Sequence, residues 1–284
     1  MLTSEDRRFI YRQAYLPEHL WVYVEAISGG SAHLHDSYLC YVRDDHLLFI
    51  GYPLGRPADD LAEAFQSAWE RFEPVTAAVI APEITLSCRE VEIRPADDYY
   101  RIQLPPPATA PKVANMLRRA QRELQVLFGK FQWEHRRLVN VFLKAHLLTE
   151  EQRIIYQRIG EYMKRSQTAR VLEARKGARL VAFSIVDLDS ADFAFYMFHF
   201  RSSKYVVPGA SDLLFDQMLQ LARSEAKQAV NLGLGLHPGV RRFKEKWGGR
   251  PFLHHSAAMV YRDKPKAGTS FWGSITEVLE QLQK

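Results

Sequence analysis

Residues Asn231–Pro251, NLGLGLHPGVRRFKEKWGGRP, decide the fold. An apolar run reads as a strand ending in Gly233-Leu234-Gly235, where missing side chains let backbone approach a ligand closely. His237-Pro238-Gly239 then turns the chain into a short helix bearing Arg241, Arg242, Lys244 and Lys246. Amides at that helix start, beside a basic cluster, favour a phosphate or a carboxylate. Phe243 and Trp247 stand four residues apart, so they share one face and are expected to pack inward. The basic residues are assigned to the remaining face, with Lys244 exposed as the anion's partner. The plainer reading of Lys244 and Lys246 is solvated charge.

Working outward, Ser203–Asp212 (SKYVVPGASD) joins a strand to a helix start and offers a second anion site, with Lys204 and Gly209 as candidates. Asp212 in the first turn would repel an anion there, and Ser211 with Asp212 also fits simple capping. Strands are expected at Ala169–Ala174, Arg179–Asp187, Phe193–Phe200, Ala229–Leu234 and Pro251–Tyr261, with helices at Ser211–Ala226 and Phe271–Leu282. Residues 51–80, GYPLGRPADDLAEAFQSAWERFEPVTAAVI, follow the same order as residues 204–234, KYVVPGASDLLFDQMLQLARSEAKQAVNLGL. Each reads strand, Pro/Gly loop, acid-started helix, strand, and the match reads as a degenerate tandem duplication.

The first half accordingly reads as a helix at Glu5–Tyr15 and strands at Trp21–Ala26, Tyr38–Arg43 and Leu47–Tyr52, the last two joined through Asp44-Asp45. A helix over Ala58–Arg71, started by Asp59 and Asp60, precedes strands at Val75–Ile80, Thr85–Arg94 and Tyr99–Leu104. Pro105-Pro106-Pro107 is the clearest break. It divides a unit over residues 1–107 from one over 108–284. The second unit carries a helical insertion at 112–166, read as Val113–Phe128, Glu134–Ala145 and Glu150–Ser166, with Thr149 capping the third helix and Arg118, Arg119 and Arg122 on the outer face of the first.

Composition bounds the function. The 284 residues are 47% hydrophobic, 12% aromatic and 25% charged, a folded chain rather than a disordered one. Residues 1–150 hold 17 Lys/Arg against 20 Asp/Glu, and residues 151–284 hold 21 against 13, which makes up the net +5. The basic second half suits a phosphate-bearing co-substrate or tRNA. No run approaches the roughly 20 apolar residues of a membrane span, and MLTSEDRRFI lacks a secretory apolar core. The expectation is a cytoplasmic protein with no integral membrane segment, peripheral contact remaining open. Cys40 and Cys88 cannot build a disulfide framework. The oligomeric state is not legible.

No phosphate-binding P-loop, HExxH helix or G-x-S-x-G elbow is present, and Leu236-His237-Pro238-Gly239 breaks a dinucleotide fingerprint after Gly233-x-Gly235. His254 and His255 are adjacent on a strand and point to opposite faces, so no metal site is expected. Candidates for proton transfer are Tyr196 and His199 on the central strand and His237 at the basic turn.

The blocks NLGLGLHPGVRRFKEKWGG and VPGASDLLFDQMLQLARSEA resemble the C-terminal half of GNAT-fold acyltransferases. Among these they look most like Fem-type peptidyltransferases and the C-terminal domain of lysyl-phosphatidylglycerol synthases. The resemblance runs from about Lys112 to Tyr261 and is only topological before that. It implies an α+β fold of two tandem GNAT-like units, each a mixed, mostly antiparallel sheet flanked by helices. It implies transfer of an acyl group from acyl-CoA, or an aminoacyl group from aminoacyl-tRNA, to an amine or hydroxyl. Lys244 then matches the lysine that binds a phosphate in Fem-type enzymes, with Gly233, Gly235, Arg241 and Lys246 around it. One departure is Val206-Val207-Pro208-Gly209-Ala210-Ser211, which lacks the Arg/Gln-x-x-Gly-x-Gly/Ala pattern of coenzyme A users. Two further readings stay open at this point: a non-catalytic scaffold of the same fold, and direct nucleic-acid binding through the basic faces.

Overall fold

The computed structural model describes residues 1–262 other than 56–59, 85, 87–89, 94, 147 and 149. The expected cap Thr149, the expected helix Phe271–Leu282, Asp59, Cys88 and parts of the expected elements Ala58–Arg71 and Thr85–Arg94 lie outside the described residues. In chain order the first half holds α1 (Ser4–Gln13), α2 (Trp21–Ser28), β1 (Ser31–His35), β2 (Tyr38–Arg43), β3 (His46–Ile50), α3 (Leu61–Phe72), β4 (Thr76–Ala81), β5 (Glu90–Ile93) and β6 (Asp97–Gln103). The second holds α4 (Pro111–Glu123), β7 (Gln125–Gly129), α5 (Trp133–Ala145), α6 (Glu150–Arg165), β8 (Arg170–Lys176), β9 (Arg179–Asp187), β10 (Phe193–Arg201), α7 (Ala210–Ser224), β11 (Ala229–Leu234), α8 (Pro238–Lys246) and β12 (Arg250–Tyr261).

Local chemistry explains the boundaries. Thr3 and Asp6 form a reciprocal capping box on α1, and Asp60 accepts the Ala62 amide at the start of α3. Helix α7 begins at Gly209, whose φ of +83° suits glycine. A Cβ there would fall 2.9 Å from Met116 Cγ, so the glycine also lets α4 close onto the loop.

Two expected elements are corrected, and one strand is new. Trp21–Ala26 is not a strand: it lies in α2, a helix with Tyr23, Val24, Ala26 and Ile27 buried. Enclosure on several faces erased the polar stripe that marks a helix. The helix expected over Val113–Phe128 ends at Glu123, and residues 125–129 peel away as β7 to pair with β8. Strand β1 was not anticipated; its five residues include two histidines and a serine, and only Ala32 and His35 are buried.

The strands form one sheet in the order β1-β2-β3-β4-β12-β6-β11-β10-β9-β8-β7, with β5 also on β12. All pairings are antiparallel except β3–β4 and β10–β11. Those two parallel pairs are each bridged by a helix, α3 and α7, after an antiparallel pair, β2–β3 and β9–β10. Strand β12 is long enough to serve both halves: Arg250–His255 run along β6 and Ser256–Tyr261 along β4. Apolar side chains fill both faces; one cluster joins α2, α5 and α6 to the sheet, and another holds α4, α7 and Trp247. Parallel pairing of β10 with β11 covers only Phe193–Phe195 against Ala229–Asn231. Beyond it the register on β10 slips between Tyr196 and Phe198. Beyond Phe195 the two strands are unpaired with each other, and the candidate site lies beside the far end of β10.

Candidate functional site

A cavity of about 620 Å³ opens beside the far end of β10. Its walls include the β10 residues Tyr196, His199, Phe200 and Arg201, Val206 of the following loop, Ser211 at the start of α7, His237, Gly239, Val240, Phe243 and Lys244 at α8, and Val141, Phe142 and Ala145 of α5 with His146 just after it. The sequence expected Tyr196, His199, His237 and Lys244 to be functional, and all four line this one space. Phe200 borders the cavity without filling it.

His199 is the best-placed of these. Its Nδ1 lies 3.0 Å from Ser184 Oγ and its Nε2 lies 2.8 Å from Ser211 Oγ. Ser184 sits directly across the β9–β10 ladder from His199, and Ser211 in the first turn of α7 comes from the other side. Burial, reinforced by Arg201, holds the imidazole pKa down to about 4. The ring is therefore neutral near pH 7, with one nitrogen donating and the other accepting. Tyr196 hydrogen-bonds the same Ser184, and burial pushes its phenol well above the ordinary value, so it too stays neutral. Ser184, His199 and Ser211 form a hydrogen-bonded chain, and both His199 and Ser211 line the cavity.

His237 plays a different part from the base expected of it. It is the N-cap of α8, and its Nδ1 accepts the Gly239 amide at 3.1 Å. That bond fixes the tautomer: the uncharged ring carries its proton on Nε2 and acts as a donor.

Lys244 corrects the expectation of an exposed charge. It is 2% exposed, its Nζ donates to the Leu234 carbonyl at 2.5 Å, and it lies over the Tyr100 ring. Val240, Phe243, Lys244 and Trp247 fall at helical spacing on the inward face of α8, which carries the amine inside. Burial drives its pKa well below that of an ordinary lysine, while Asp97 partly opposes the shift.

The other expected ligand residues do not reach the cavity. Lys246 is held by Asp212, whose same oxygen accepts Trp247 Nε1 at 3.0 Å, so this pair ties α8 to α7. Arg241 pairs with Asp97 at 3.2 Å, and Asp97 also accepts the Leu236 amide. Gly235 lies against that pair, where a Cβ would fall 2.7 Å from Asp97 Oδ1. Gly233 donates to Asn231 Oδ1, Gly209 packs on α4, and Lys204 lies over Tyr205. These residues shape the turn rather than the cavity. Sequence reading missed Ser184 altogether and took Ser211 only for a cap. A lone hydroxyl inside the apolar strand RLVAFSIVD was the available signal for Ser184. Among the described residues no cluster of three His, Cys, Asp or Glu side chains is arranged to hold a metal, and no helix is long and apolar enough to cross a membrane.

The strands and helices make an α+β protein, a mixed and mostly antiparallel sheet with helices on its faces. No family model matches the chain, and no curated protein sequence matches it. Solved structures do. The structure of L-PGS from Bacillus licheniformis aligns at a TM-score of 0.60 with 14% identity, over 99% of this chain and 98% of that one. The C-terminal domain of a protein named lysylphosphatidylglycerol synthetase from Agrobacterium fabrum aligns at 0.59 with 15% identity, over 90% and 91%. FemX aligns at 0.58 with 10% identity, over 90% and 96%. At such identities the likeness establishes the fold alone.

Proposed function

We propose that the chain is an acyl- or aminoacyltransferase whose reacting atoms meet in the cavity beside β10. The observation that carries this reading is the neutral His199 between Ser184 and Ser211, with the Ser211 end open to the cavity. An amine or hydroxyl attacking the acyl carbon must shed a proton, and the leaving thiolate or alkoxide must gain one. The hydroxyl–imidazole–hydroxyl chain takes a proton at Ser211 and passes one on from Ser184 to Tyr196, whose side chain lines the same cavity and gives a proton to the leaving group, so no member holds a charge, as an imidazole with pKa about 4 requires.

Two features narrow the donor and the cargo. In the loop before α7, Pro208 has no amide hydrogen and the Ala210 amide is already given to the Val207 carbonyl. That leaves a poor cradle for a coenzyme A pyrophosphate and favours an aminoacyl-tRNA ester as donor. One of the similar structures carries a name that specifies a lysyl product. The described residues lining this cavity include no carboxylate to meet a lysyl ammonium, so a neutral or anionic aminoacyl group suits it better. The basic second half suits tRNA, and the repeated hairpin–helix–strand order supports descent from a tandem pair with the reaction kept in residues 108–284.

Calorimetric titration with aminoacyl-tRNA and, separately, with acyl-CoA tests the reading. Binding of the first and weak or no binding of the second is expected. Silence from both overturns the transferase assignment and leaves a scaffold.

A further inference from the structure

We propose that the outer face of α5 is a docking surface for an anionic lipid bilayer, which sets the mouth of the cavity at the level of the headgroups. Trp133, Arg136, Arg137, Asn140, Val141 and Lys144 recur at helical spacing and line one shallow groove on that face. Trp133 is 66% exposed, among the largest apolar exposures in the described chain. Lone exposed apolar residues are common, but this one stands in a row with three cations. None of Arg136, Arg137 and Lys144 has a carboxylate partner among the described residues. The carboxylate at the start of the helix, Glu134, is taken by Arg175 at 2.6 Å. The groove is thus basic and aromatic, with its charge uncompensated.

The groove is continuous with the cavity. Val141 lines both, and the cavity rim beyond it carries Ala145, Arg201 and Val206, the last 70% exposed. An indole and valines beside guanidinium and ammonium groups match a membrane interface, where rings and aliphatic groups enter the headgroup layer and cations meet lipid phosphates. A nucleic acid would use the cations and the indole but gain little from Val141 and Val206 at the rim. The observations therefore favour the bilayer. This surface is independent of the transfer reaction: it needs neither donor nor relay.

The test is sedimentation of the whole chain with vesicles of phosphatidylcholine alone and of phosphatidylcholine mixed with phosphatidylglycerol. Binding to the mixed vesicles, weakening with salt and faint on the neutral ones, is expected. Neutralising one basic residue near an anionic surface weakens binding about fivefold (about 1 kcal/mol each). Arg136→Ala/Arg137→Ala/Lys144→Ala is therefore expected to weaken it on the order of 100-fold. Trp133→Ala is expected to weaken it further, and all four side chains are exposed, so the variants keep the fold. Arg118→Ala/Arg119→Ala/Arg122→Ala on α4 is the charge-matched control and is expected to bind as the parent does. No binding, equal binding to both vesicles, equal losses in control and α5 variants, or α5-dependent capture of tRNA without vesicle binding would each overturn the proposal. Because no donor is present, a failure here is separate from a failure of the transferase reading.

Discussion

Replacing Lys244 by Met isolates a buried amine. Methionine keeps an unbranched stem of similar length, so the inner face of α8 stays filled, but it cannot donate to Leu234. The folded-state pKa is depressed by burial below the ordinary value of 10.5. Between those two values the unfolded chain carries a proton that the folded chain does not. Unfolding then takes up a proton, so stability rises with pH through this window and levels off near 10.5. Below the folded pKa both states are protonated and the full penalty of burying a charge remains. The slope is at most about 1.4 kcal/mol per pH unit, or about 2.7 kcal/mol over two units while the folded amine stays neutral. At fixed pH, loss of the bond to Leu234 costs about 1–3 kcal/mol, and relief from burying the amine offsets part of it. Urea unfolding of parent and Lys244→Met at several values from pH 6 to about 10 reads the difference, since the other groups titrate alike in both. The stability of the parent relative to the variant is predicted to increase with pH. A difference that stays flat would mean an ordinary, solvated Lys244, and the account of α8 as a wall with an inward amine would fail.

The remaining expectations concern the same wall. Trp247→Ala is predicted to cost about 3–5 kcal/mol in urea unfolding, because the ring is 6% exposed and packs on Phe215. Asp212→Ala strands Trp247 Nε1 in the interior and is predicted to cost about 1–3 kcal/mol, whereas Asp212→Asn keeps an oxygen for the indole and costs less. In an NMR titration the His199 ring signals are predicted to move near pH 4, and a midpoint near 6.5 would refute its burial between the two serines.

Much of this architecture could be read from residues alone. β9 and β11 fall on the residues that apolar periodicity assigned, and the hairpin through Asp44-Asp45 is present with Asp44 at a φ of +53°. The failures share a cause: tertiary surroundings overrode local pattern. Trp21–Ser28 is enclosed between the tight turn at Pro17–His19, the sheet and α6, so it shows no polar face to betray a helix. Leu127 and Phe128 continue the helical spacing of α4, yet pairing with β8 claims them. At the site, the aromatic anchors of α8 were legible because Phe243 and Trp247 are apolar. The same spacing placed Lys244 inward, but its charge argued for solvent and the charge was given more weight. The relay was illegible because Ser184 and Ser211 lie far from each other in sequence and meet only across His199.

The central claim, that the Ser184–His199–Ser211 chain serves transfer in this cavity, is tested most directly by single-turnover transfer from aminoacyl-tRNA in the parent and in His199→Gln. Glutamine keeps a polar group between the serines but cannot relay a proton as imidazole does. The predicted result is a transfer rate lower by about 100-fold or more, with donor affinity and unfolding midpoint little changed. Transfer at the parent rate in a folded His199→Gln protein would contradict the claim.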